Sequence, residues 1–299
     1  MTAPPEERHH VFAAAYRAAN DGAVPETSAE LDHTLSAVSL GGEPLFLAMF
    51  GLVAARQGLG VASAMTADKI ARDLAKGELR RIGKIWAAHP DLPAGSESEA
   101  ARPFDSHLAA LATLSEGWSE EAAHAAIARE AAALNLALPG GSEPVRTALH
   151  GALPGTADGI GAVLPDILGE AAAMIALERL PDGGVAALRR AAEAKRPETT
   201  AAVIRACQDF LIRGERTPLA WIEALRADAV DLEALTALSN ALPEHTVELR
   251  EMAAEVLEAI LHRIRDLPEA EMRSVMEAAT LNNLSVRLDA LGRREAALA

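Results

Sequence analysis

Asp166 and Glu170 stand four positions apart, so a helix through them carries two carboxylates on one face, one turn apart. Carboxylates paired that closely can be pushed to different pKa values and so divide acid and base work between them. A plainer role also suits them: Asp166 as a helix N-cap after Pro165, and Glu170 as a charge in the first helical turn. The plainer role needs no further residue and is preferred. Other patterns stop short of chemistry. The run Gly155-Thr156-Ala157-Asp158-Gly159-Ile160-Gly161 lacks the lysine and the Ser/Thr that a GxxxxGK[ST] phosphate loop needs, and its spacing is not GxGxxG. A turn between extended segments is the expected role. The nine histidines are scattered, with His9-His10 the only adjacent pair, and no HExxH or His/Cys cluster has metal-ligand spacing. Cys207, in Ala-Val-Ile-Arg-Ala-Cys-Gln, has no identifiable base and reads as a buried, inert thiol. The sequence therefore names no catalytic, cofactor-binding or metal-binding residue, and neither an enzyme nor a cofactor is expected.

The segment that carries the two carboxylates, 160–177, is where the chain changes character. Glycines and an aliphatic run lead to Pro165, and then Ile167, Leu168, Ala171, Met174, Ile175 and Leu177 follow at helical spacing. The residue before a proline avoids the α region, so the helix should begin just after Leu164. Composition agrees with helices throughout. Half of the 299 residues are hydrophobic but only 3% are aromatic, and alanine dominates many segments, which favours thin, closely packed helices over sheets. A formal charge of −15 argues against a nucleic-acid or acidic-lipid surface. Arg80, Arg81 and Lys84 form only a short basic patch, read as a solvated helix face. A lone cysteine rules out an intrachain disulfide and fits a reducing compartment. The N-terminal MTAPPEERHH has no apolar signal core, and the longest apolar run, 44–55, falls short of the roughly 20 residues that span a bilayer. A cytoplasmic, soluble protein without a membrane or nucleic-acid partner is expected.

In chain order the reading is mostly all-α, in three domains. Residues 1–93 form a helical bundle, with helices over 7–20, 29–35, 45–57 and 66–89. Residues 103–177 hold three short helices, over 106–113, after the Ser119 cap, and over 144–153, followed by an extended segment near 154–164. That is the order of a winged helix and its wing, and an ordinary helix-loop-helix bundle is the alternative. Residues 178–299 read as an α-solenoid of helical pairs, over 182–194, 198–212, 218–227, 231–242 and 246–265. In the last of these, Leu249, Met252, Ala253, Val256, Leu257, Ile260, Leu261 and Ile264 make one apolar face. Leu281-Asn282-Asn283-Leu284, Leu288, Leu291-Gly292 and Glu295 to Leu298 resemble the front half of a tetratricopeptide repeat. A half-repeat cannot bury its apolar face. Leu284, Leu288 and Leu291 are therefore a candidate protein-binding or self-association stripe, unless that helix folds back on Val256, Ile260 and Ile264.

Two short motifs carry a wider resemblance. Gly42-Glu43-Pro44-Leu45 is similar to a segment that opens a lid helix in STAND-type NTPases, the NACHT and AP-ATPase relatives, and Leu164-Pro165-Asp166-Ile167-Leu168-Gly169-Glu170 resembles part of their winged helix. The resemblance implies a helical lid, a winged helix and a helical arm running into tetratricopeptide repeats, the parts that follow a nucleotide-binding core. In that family these parts close over ATP or ADP while the repeats sense a trigger. This chain departs from the pattern, because the phosphate loop and the acidic Mg²⁺ strand are absent, so catalysis is not carried over. No histidine lies within 160–177, so the family's nucleotide-contacting histidine is not carried over either. Two functions follow as expectations: a non-catalytic regulatory and scaffolding module of a STAND-like signalling switch, or a stand-alone helical-repeat adaptor. The domain division is testable at 90–103, whose three prolines, Gly95 and Ser96-Glu97-Ser98-Glu99 mark a boundary. Limited proteolysis should cut there first. First cleavage within 246–265 would count against the division.

Overall fold

A computed structural model describes residues 4–20, 24–26, 28–36, 43–90, 92, 104–243, 247–266 and 270–293. Gly42, most of the 90–103 boundary and the 295–298 end of the half-repeat lie outside them. Among the described residues there are fifteen α-helices and no strand, so the chain is mostly all-α. It divides into two compact units, 1–81 and 82–299.

In the first unit α1 (Pro5–Ala19) packs along α3 (Pro44–Gln57), with α2 (Ala29–Ser36), the short α4 (Leu59–Ser63) and the start of α5 (Ala67–Ala87) around them. Pro44 sits in the first turn of α3, where its missing N–H costs no intrahelical bond. The helix buries Phe46, Leu47, Met49, Phe50, Val53 and Ala54, with Phe12 of α1 against Phe50 at 5.6 Å between ring centroids.

The second unit is built on α6 (Phe104–Leu114) and α9 (Asp166–Leu177). All eleven residues of α6 are buried. Gly169 lets α9 come close, because a Cβ there would lie 2.5 Å from the Val163 carbonyl and 2.7 Å from the Thr113 methyl. Between them come α7 (Glu120–Ala133), capped by the Ser119 hydroxyl at 3.3 Å from the Ala122 N–H, and α8 (Glu143–Ala152). The 154–161 turn forms isolated antiparallel bridges rather than strands: Pro154 with Ile160, and Ile160 with Trp118 on its other side. Pro154 and three nearby glycines are poor propagators of a ladder, so the pairing stops at single residues.

The expected helices recur in α10 (Val185–Ala194), α11 (Arg196–Phe210), α12 (Thr217–Asp228), α13 (Leu232–Ala241), α14 (Arg250–Arg265) and α15 (Ala270–Ala290). Two starts are corrected. Asp166 is the first residue of α9, not its cap, and the N-cap is Pro165. Asp182 stands outside α10, where its carboxylate accepts the Gly184 and Ala186 N–H groups at 3.0 and 2.7 Å.

α15 packs along α14. Leu284 and Leu288 are only 7% and 5% exposed, and Leu291 is half-buried, so the chain itself covers most of the expected stripe. Leu288→Glu should then cost about 3 kcal/mol by burying a charge in an apolar site. Val286→Glu, at a side chain 59% exposed, should leave the melting temperature unchanged. Equal melting temperatures for the two variants would contradict this packing.

Candidate functional site

The second unit holds a cleft of about 400 Å³ lined by Thr113, Leu114, Glu116, Ala162, Val163, Leu164, Asp166, Glu170, Ala202 and Arg205. Four pieces of chain meet there, and each is placed by local structure. At the end of α6 the backbone turns through Glu116 (φ 53) and Gly117 (φ 85), and the Gly117 N–H returns to the Ala112 carbonyl at 2.7 Å. Lys195 closes the same helix end, donating from Nζ to the carbonyls of Ser115 and Gly117 at 3.2 and 2.9 Å. Glu116 is thereby carried to the cleft rim. The second piece, 162–164, is tied to α6 where Thr113 Oγ1 accepts the Val163 N–H at 3.1 Å and donates to the Ala109 carbonyl at 2.7 Å. The third is the first turn of α9, with Asp166 and Glu170. The fourth is α11, where Ala202 and Arg205 sit three positions apart on one face.

Arg205 joins the carboxylates. Its Nη1 and Nη2 both donate to Glu116 Oε1 at 3.2 Å. Its Nε lies 3.5 Å from Asp166 Oδ2 and 3.6 Å from Glu170 Oε1 but is buried without a hydrogen-bonding acceptor. The carboxylates differ sharply in exposure. The Asp166 side chain is 60% exposed at the rim, whereas Glu170, at 3%, forms the floor. Burial raises the Glu170 pKa most, the charge of Asp209 adds to it, Arg205 opposes it and Asp166 adds again, leaving the group at about 9. As a carboxylate, Glu170 has no donor on either oxygen. As a carboxylic acid it can donate to Asp209, which explains why the neutral form is favoured.

A second buried glutamate shows what the first lacks. Glu130 of α7 is fully buried, but it accepts from His107 Nε2 of α6 at 2.9 Å and from Arg190 Nε and Nη2 of α10 at 2.9 and 2.6 Å. Burial pushes its pKa up. The bonds from His107 and Arg190 outweigh that and hold it at about 2. Glu130 is a charged clamp between helices, while Glu170 is a neutral acid facing a cleft. Cys207 is buried, and burial followed by the charges of Glu170 and Glu223 pushes its thiol to about 12.

The structure thus brings the sequence-flagged Asp166 and Glu170 together and adds Arg205 and Glu116. An arginine inside the apolar run 201–207 was the available signal for Arg205. The N–H groups of Gly155, Gly159 and Gly161 bond to Gly159, Thr156 and Leu153 carbonyls within the turn, so they do not converge on an anion. Leu284, Leu288 and Leu291 take no part in the cleft. Among the described residues no group of three or more His, Cys, Asp or Glu is arranged to hold a metal ion, and no helix is long and apolar enough to cross a membrane. Comparison with family models, curated proteins and solved structures finds no match.

The Glu170 shift has a stability consequence with a definite sign. From an ordinary value of 4.5 up to about 9, the folded chain keeps a proton that the unfolded chain has lost. Its contribution is full below 4.5 and is lost as pH rises toward 9. Glu170→Gln should therefore flatten the fall of melting temperature across that range. Parallel pH profiles for the two proteins would refute the assignment.

Proposed function

We propose that this chain is a non-catalytic regulatory and scaffolding module of a STAND-like signalling switch, acting in the cytoplasm through protein–protein contacts of its helical pairs. The supporting observation is the order of elements in the second unit. A helix, a bridging residue at Trp118, two helices and a bridged turn at 154–161 come first, and paired helices follow. This is similar to the succession of winged helix and arm that the sequence resemblance implies. The turn at Gly292 (φ 74) after α15 fits the link within a tetratricopeptide-like pair. The Glu116–Arg205–Asp166 ion pairs join the winged-helix-like part to the arm and give the module a joint whose charge can be altered.

Exposed Ile212, Val230, Leu281 and Val286 along the arm supply apolar contact points. They favour equally the second reading, a stand-alone adaptor. Calorimetry with ATP and ADP should give no micromolar binding and no turnover for this chain, and micromolar binding or measurable turnover would overturn the non-catalytic reading. An open frame immediately upstream encoding GxxxxGK[ST] would favour the switch over the adaptor.

A further inference from the structure

We infer that the cleft between α9, α11 and the end of α6 binds a small organic cation, an alkylammonium or alkylguanidinium head set among Glu116, Asp166 and Glu170. The site is built as well as charged. Its floor is a lining carboxyl group only 3% exposed that, as a carboxylate, has no hydrogen-bond donor on either oxygen. Its walls at Leu114, Val163, Leu164 and Ala202 are aliphatic, and Leu164 is largely exposed at the mouth, suited to the stem of such a ligand. About 400 Å³ accommodates a ligand of that size.

Charge selects the class. Two ionised carboxylates, Glu116 and Asp166, and the protonated Glu170 face one guanidinium, with Asp209 beside Glu170 and a formal charge of −15 on the whole chain, so an anion is repelled even though Arg205 is present. A metal ion is disfavoured because these carboxylates do not converge as a ligand set. An N–H-bearing cation supplies the two things the ionised Glu170 would lack, a directional donor and a compensating charge. The groups facing Glu170 are Asp166 on its own helix and Arg205, Cys207 and Asp209 from α11, with Glu116 beyond at the rim. Arg205 is the sole cation of this set. A second cation favours the Glu170 carboxylate, so binding releases its proton to solvent and affinity rises with pH. The inference stands apart from the switch reading, since it concerns only side chains within the second unit.

Isothermal calorimetry of the full chain near neutral pH with butylammonium and with propylguanidinium, in two buffers of different ionisation enthalpy, tests it. The expected result is saturable binding with net release of up to one proton. Glu170→Gln should weaken binding at least about tenfold and abolish the proton release. Asp166→Asn, at an exposed side chain, should weaken binding while keeping the release. Tetramethylammonium, which has no N–H, should not compete. Nα-acetyl-lysine methylamide and Nα-acetyl-arginine methylamide separate the sources. Tighter binding than the bare alkyl ligands assigns the head group to a polypeptide side chain, and weaker binding assigns it to a free amine. No saturable heat with any of these cations, undiminished binding by Glu170→Gln, or competition by tetramethylammonium would overturn the inference.

Discussion

Burying a helix on every side is the constraint from which the second unit follows. α6 buries all eleven of its residues, so its polar groups can be met only inside the protein, and all but His107 Nδ1 among its buried side-chain atoms find a partner there. Thr113 bonds both along its own helix and to the Val163 N–H, which fixes the chain entering α9. His107 donates to Glu130, which draws in α7, and Arg190 completes that carboxylate from α10. Lys195 closes the carbonyl end from the start of α11. Four surrounding elements are thus located by the polar needs of one buried helix, not by apolar contact alone.

The alanine-rich composition sets the distances at which this happens. With small side chains along α6 and α9, and glycine at 169, the two helices approach until backbone and methyl groups touch. Close packing of this kind leaves little room to bring water to a buried polar group. Such a group is therefore either fully paired or shifted to its neutral form.

The two buried glutamates follow those two courses. Glu130 meets a fork of guanidinium donors and an imidazole, and remains charged far below neutral pH. Glu170 meets carboxylates and a guanidinium whose Nη atoms are committed to Glu116, so burial decides its state and it keeps its proton. The same residue type is structural in one place and chemically available in the other, and the difference lies in the donors that neighbouring helices bring. Glu170 lines a cleft, whereas Glu130 is enclosed by its donors.

The helical character of the chain was written in local pattern. Apolar spacing foretold α14 with Met252, Val256, Leu257, Ile260 and Ile264 on its buried face, and the Ser119 cap announced the start of α7, because periodicity and capping act within a turn or two of chain. The pairing of Asp166 with Glu170 was legible for the same reason, since four positions make one turn. What meets that pair was not. Arg205 reaches Glu116 across 89 positions and Arg190 reaches Glu130 across 60, separations over which spacing in the sequence carries no geometric information. Local pattern marks Leu284 and Leu288 as apolar but is silent on whether α14 or another molecule covers them. In this fold both are buried where α15 packs along α14, and the depth at which a residue lies belongs to the packing of helices rather than to the order of residues.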